Sequence, residues 1–209
     1  NLSRSKFNSM EIPYIHKPKI VVIGSCNTDM VVKANRLPVP GETILGGSFY
    51  MNPGGKGANQ AIAAARLGAD VTFISKIGYD LFGLQALEIY KSEKINTEFI
   101  FTDQKSPSGV ALISVDSFGE NSIIVAPGAS RSLSIEDINK AEEKIKEADI
   151  ILMQLEVPIE TAEFAATIAN KYNKKVILNP APASTLSDTF LRNCLLYTSP
   201  SPRDVEESR

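Results

Sequence analysis

The sequence predicts an α/β fold: a parallel sheet flanked by helices, with a small β lid inserted. Three observations predict it. Short apolar runs, such as the Gly-bounded 19–24 (KIVVIG), recur with the length of strands buried on both faces. Segments with helical spacing alternate with them, the pattern of strand–helix–strand units. Two β-rich stretches, at about 30–52 and 97–125, break that alternation.

The elements follow in chain order. Lys19 to Gly24 reads as the first strand, and Gly57 to Leu67, rich in alanine, as a helix stopped by Gly68. Val71 to Lys76 is a second strand and Phe82 to Glu93 a second helix, with Leu84, Leu87 and Tyr90 near helical spacing. Ile135 to Ala148 reads as one amphipathic helix capped by Ser134, with Ile138, Ala141 and Ile145 as its apolar stripe. Ile150 to Leu155 is a strand, Ile159 to Tyr172 a helix and Lys175 to Leu178 a strand. Within 30–52 there are two β-like stretches around Pro38-Val39-Pro40-Gly41. Within 97–125 there are three, with a turn at Phe118-Gly119-Glu120. A small sheet of this kind is a cover over a site, an oligomer contact, or an ordinary edge extension.

Composition removes several classes of function. Of 209 residues, 43% are hydrophobic, and 22 Lys+Arg against 24 Asp+Glu leave a formal charge of −2. There is no basic footprint for a nucleic acid backbone, so none is expected as a partner. No apolar run approaches the roughly 20 residues of a bilayer-spanning helix, and no membrane partner is expected either. Cys26 and Cys194 lack CxxC spacing, which argues against a disulfide framework or a zinc site and suits a reducing compartment. His16 is the only histidine, so a His-based triad is excluded and chemistry must use carboxylates, Lys, Asn, backbone amides and a bound cation.

The domain is expected at 19–193. Residues 1–18 read as a disordered polar leader, with Met10 a candidate start and a transit peptide the alternative. Residues 194–209, ending LLYTSPSPRDVEESR, read as a non-native tail resembling translated adapter sequence, a natural linker being the alternative.

The densest chemical signal is Asn52 to Gln60, NPGGKGANQ. Gly54, Gly55 and Gly57 free the backbone before a helix, so amide groups can press against a polar ligand, and Lys56 and Asn59 add a cation and a carboxamide. It is not a Walker loop, because Gly57 follows Lys56 where Ser or Thr is required. The first strand is followed by Gly24-Ser25-Cys26-Asn27, which lacks the dinucleotide fingerprint. A tight structural turn is the other reading of the glycines. Asn27 and Asp29 follow the first strand and Glu156 follows the strand from Ile150, so all three fall at carboxyl strand ends, where open parallel sheets bind ligands. Carboxylates and carboxamides suit the hydroxyls of a polyol. Asp29 as a turn cap and Glu156 as a solvated helix-start acid are the alternatives.

These residues also carry a family resemblance. GSCNTD (24–29), PGET (40–43), GGKGANQA (54–61), MQLE (153–156) and NPAPA (179–183) resemble, in order, the ribokinases of the PfkB carbohydrate kinase family. The resemblance implies a ribokinase-like sheet and ATP-dependent phosphorylation of D-ribose to ribose 5-phosphate. It implies that Asn27 and Asp29, with Thr28 between them, hold ribose hydroxyls. Gly55, Lys56, Gly57, Ala58 and Asn59 would bind the sugar at the helix start, and Glu156 would take further hydroxyls. It implies ATP, Mg²⁺ and K⁺ as cofactors, a lid that also forms a homodimer clasp, and a cytoplasmic location compatible with nuclear presence. The Gly-Ala-Gly-Asp element that carries the catalytic Asp in this family is not in this sequence, and no Asn-x-x-Glu follows Asn193, where the family's nucleotide and magnesium element is expected. That spacing occurs only at Asn8–Glu11 and Asn139–Glu142, upstream of NPAPA. No catalytic residue is therefore named, and the chain by itself is expected to be inactive. A kinase of another sugar or nucleoside, and a non-catalytic sugar-binding module, are the alternative functions.

Overall fold

The computed structural model describes residues 17–198. Residues 1–16, with Met10 and His16, and 199–209 lie outside the described residues, so most of the expected leader and tail do too.

Strand β1 (Lys19–Ile23) is the centre of the fold. Its alternate side chains enter two cores: Val21 and Ile23 face one, and Val22 the other. Each fully buried Val or Ile contributes about 1.5–3 kcal/mol, which is why the run is continuously apolar. The chain then switches sheets within three residues, through β2 (Asn27–Lys33) and β3 (Ser48–Gly54), and returns in α1 (Lys56–Arg66) and β4 (Asp70–Gly78). Helix α2 (Leu81–Ser92) leads to β5 (Ile100–Asp103). Strands β6 (Gly109–Val115) and β7 (Asn121–Ala126) follow, then a 3₁₀ turn at Gly128–Ser132. The remainder is α3 (Ile135–Lys140), α4 (Glu142–Glu147), β8 (Ile150–Met153), α5 (Ile159–Lys171), β9 (Lys175–Leu178), α6 (Asp188–Asn193) and β10 (Leu196–Tyr197).

The six-stranded sheet runs β10-β9-β8-β1-β4-β5 and is parallel throughout. The four-stranded sheet runs β3-β2-β6-β7. Its β2–β3 and β6–β7 pairs are antiparallel, but β2 and β6 run parallel, so it is mixed rather than purely antiparallel.

Four expectations shift. Of the three β stretches in 97–125, the first joins the large sheet. Asn96 donates its N–H to Val71 O and accepts from Phe73 N–H, which sets the chain parallel to β4 as soon as α2 ends. The expected helix over 135–148 is two short helices, broken at Ala141 (φ −100°, ψ 6°). The apolar stripe survives the break, since Ile138, Ala141 and Ile145 are all fully buried. Small-sheet pairing starts at Asn27 rather than near 30 and runs to Gly54. Leu196–Tyr197, inside the expected tail, pairs parallel with Ile177–Leu178.

Candidate sugar-binding site

Strand β1 sits between β4 and β8, so successive connections depart to opposite sides and open a crevice at the carboxyl ends. Gly24–Cys26, all buried, follow β1 there, and Glu156 follows β8. Asn27 and Asp29 reach it from β2, on the small sheet rather than on a loop.

The two carboxylates are held differently. Asp29 lies over the backbone of Gly54, so close that a Cβ on Gly54 would fall 1.9 Å from Asp29 Oδ1. Burial raises the Asp29 pKa, and the charge of Glu156 raises it further, which puts the two acids in electrostatic reach of one another. Glu156 Oε2 accepts the Ser25 hydroxyl at 2.5 Å and the Lys56 N–H at 2.9 Å. Lys56 is the first residue of α1, where the helix dipole favours an anion, so Glu156 acts as a cap supplied from another element. Its Oε1 lies 3.8 Å from Lys56 Nζ. Asn27 is only 7% exposed, and its Oδ1 has no hydrogen-bond partner among the described residues. A buried amide oxygen in that condition is costly, and this one lies against Gly109, where a Cβ would be 2.1 Å from it.

The helix start divides the remaining candidates. Gly55 has φ +92°, which glycine adopts without strain. A side chain there would strike Cys26 Cα and Ser25 O, both 2.9 Å from the Cβ position, so the β1–β2 turn demands this glycine. A Cβ on Gly57 would likewise fall 2.6–2.7 Å from the Gly24–Ser25 backbone, while Ala58 is fully buried and donates its N–H to Ser25 O. These two hold α1 against the strand end. Lys56 and Asn59 share a helix face, and Asn59 is exposed. Thr28 points to the other side of β2. With Asn27, Met51, Asn52, Leu84 and Ile89 it lines a cavity of about 430 Å³, so Asn27 borders this cavity as well, while Asp29 and Glu156 do not.

Three contributors escape sequence reasoning. Ser25 orients Glu156, but a serine after a strand is an ordinary turn residue. Gly54 seats Asp29, and only the Asp29–Asn52 register of β2 on β3 reveals it. Gln154, fully buried, donates from Nε2 to Gln60 Oε1 at 2.5 Å and lies over Gly24, where a Cβ would be 1.9 Å from Gln154 Oε1. A polar residue at the end of an apolar strand was its one available signal.

The pfkB family carbohydrate kinase profile matches residues 17–198, past the expected boundary at Asn193. A ribokinase of Haemophilus influenzae is 46% identical over 172 residues, 82% of this chain and 56% of that protein. A deoxyribokinase of Salmonella typhi is 42% identical over 164 residues, 78% of this chain and 54% of that protein. Among solved structures, Arabidopsis thaliana ribokinase complexed with ribose and ATP superposes with a TM-score of 0.77 at 30% identity. That match covers 91% of this chain and 62% of the Arabidopsis chain. The chain thus spans little more than half the length of the curated relatives it matches. The chain belongs to the pfkB family of carbohydrate kinases.

Proposed function

We propose that the protein carrying this chain transfers the γ-phosphoryl group of ATP to the 5-hydroxyl of D-ribose, and that this chain supplies the sugar-binding half of the site. The observation that carries the reading is that Asp29 and Glu156 lie in electrostatic reach of one another beside the start of α1, where Glu156 accepts the Lys56 N–H. Each carboxylate oxygen left open accepts a hydroxyl, and the Asn27 carboxamide donates to another through its NH₂ group. Ribokinase relatives, one of them complexed with ribose and ATP, support the same reading.

In this reading Asp29 and Asn27 hold adjacent ribose hydroxyls, and Glu156 Oε1 holds a further one while Oε2 keeps α1 in position. Neither acid is the general base. That role goes with the Gly-Ala-Gly-Asp element, which these 209 residues do not contain. Among the described residues no group of three or more His, Cys, Asp or Glu could hold a metal ion. Mg²⁺, K⁺ and the nucleotide are taken to belong to the same missing elements, and none of them is assigned a residue here.

A second copy of the protein is the proposed partner of the small sheet. Cross-strand pairing puts Met51, Met30, Leu112 and Ile124 in one row across all four strands. Met51, Leu112 and Ile124 are 46–68% exposed, an apolar row that a homodimer would cover. A cytoplasmic location goes with this reading, and no helix among the described residues is long and apolar enough to cross a membrane.

The test is a substrate panel on the full-length protein: D-ribose, 2-deoxyribose and adenosine, read by calorimetry and by product formation with ATP. Preferred binding and 5-phosphorylation of ribose is expected. Preference for 2-deoxyribose would support the second reading, favoured by the deoxyribokinase relative. Sugar binding without phosphorylation would support a binding module.

A further inference from the structure

Where the chain leaves the large sheet for β6 and comes back from β7, its two crossing segments are packed backbone to backbone. Ala129 N–H donates to Pro107 O at 2.8 Å. Four glycines make the approach feasible. A Cβ on Gly78 would lie 2.3 Å from Ser108 N, on Gly83 2.4 Å from Gly78 O, on Gly109 2.1 Å from Asn27 Oδ1, and on Gly128 2.3 Å from Pro107 O.

Asp80 ties this crossing to the large sheet. Its Oδ1 accepts Gly83 N–H at 2.9 Å and the Ser108 hydroxyl at 2.7 Å, and its Oδ2 accepts Ser108 N–H at 2.7 Å. The Ser108 oxygen in turn accepts Gly78 N–H at 3.0 Å, so the hydroxyl is used as both donor and acceptor. Capping of α2 accounts for the Gly83 bond alone. The two bonds to Ser108 have no part in a cap: they fasten the residue that precedes β6 to the junction of β4 and α2. Burial opposes the charge of Asp80, but the bonds from Gly83, Ser108 and Phe82 outweigh it and hold the carboxyl below its ordinary range.

The clamp leads directly to the candidate site. Gly109, next to Ser108, supports the Asn27 carboxamide, and β6 pairs with β2 in the register Asn27 with Gly109 and Asp29 with Ala111. We propose that Asp80, acting through Ser108, is a positioning residue for sugar binding that sets the base of β6 and thereby the place of Asn27 and Asp29 in the crevice. The proposal rests on the sugar-site reading above.

The experiment compares Asp80→Ala, Asp80→Asn, Ser108→Ala and the double variant Asp80→Ala/Ser108→Ala in the full-length protein. It measures steady-state kinetics with D-ribose and ATP, and deuterium exchange by peptide. Misplaced ligating groups cost on the order of tenfold or more. Asp80→Ala should therefore raise the KM for ribose about tenfold while the KM for ATP stays within about twofold. Asp80→Asn, which keeps one acceptor oxygen, should recover part of the loss. Ser108→Ala should give a smaller rise, and the double variant should be no worse than Asp80→Ala. A folded Asp80→Ala protein with unchanged ribose KM, or with both KM values raised alike, overturns the proposal. If Asp80→Ala does not fold, Ser108→Ala decides, because it leaves the α2 cap intact: an unchanged ribose KM overturns the proposal. If the wild type does not act on ribose, the functional reading fails and exchange tests the clamp by itself. Faster exchange over 109–126 without faster exchange over 159–178 supports the clamp, and equal exchange in wild type and variant overturns it.

Discussion

The six-stranded and four-stranded sheets are both rich in Val and Ile, yet they satisfy those side chains in opposite ways. In the large sheet Val22, Ile23, Phe73, Ile74 and Ile151 are fully buried, because helices cover both faces. In the small sheet every residue of β7 is exposed. One side of it presents the row Met51, Met30, Leu112 and Ile124; the other presents Asn52, Asp29, Ala111 and Val125. A continuous apolar run therefore means a covered strand in one case and an uncovered one in the other. In the small sheet the cover we propose is external: sugar on the Asp29 side and a second copy on the Met30 side.

This contrast can be broken by substitution, starting with the largest effect. Phe73→Ala, which also removes the edge-to-face contact with Tyr90 at 5.4 Å, should destabilise the protein by about 3–5 kcal/mol in denaturant unfolding. Asp29→Ala should leave the fold in place and weaken ribose by about 1.5–3 kcal/mol in calorimetry, more than tenfold. Glu156→Gln should cost less, because a carboxamide oxygen can still accept from Ser25 or the Lys56 amide. A loss equal to that of Asp29→Ala would reverse the ranking of the two acids. The pH dependence follows from Asp29. Its raised pKa means that ribose affinity is full above that pKa and declines as the pH falls through it, at a higher pH than for an ordinary aspartate. Asp29→Asn should bind weakly without that acid limb. Last, Ile124→Ala should change monomer stability by only about 0.5 kcal/mol while shifting self-association in sedimentation. A core-sized loss of stability there would refute the idea that this face is uncovered in the single chain.

The large sheet was legible in the sequence because burial on both faces leaves uninterrupted apolar runs such as Val21 to Ile23, and each crossover helix has its own period. The break at Ala141 was not legible, since Ile138, Ala141 and Ile145 keep helical spacing across it. Nor was the sheet of Ile100–Asp103, because edge strands of either sheet share one composition. In the site, Asn27, Asp29 and Glu156 were legible as polar groups at strand ends, and the glycines as a helix start. What each glycine does was not: Gly55 and Gly57 yield space to the Gly24–Asn27 backbone, and Gly54 yields it to Asp29. Gly55→Val should therefore impair binding by displacing the β1–β2 turn rather than by blocking the sugar.

Gly54→Ala gives the most direct test that the Asp29 carboxylate, seated on Gly54, is the principal acceptor for the sugar. Gly54 lies outside the positive-φ glycines, so alanine is tolerated by the backbone and its methyl group meets the Asp29 carboxylate. Ribose titration and circular dichroism are read on the same full-length sample. The account predicts native dichroism with affinity lowered about tenfold, and little further loss when Asp29→Ala is added. Native dichroism with unchanged ribose affinity would contradict it.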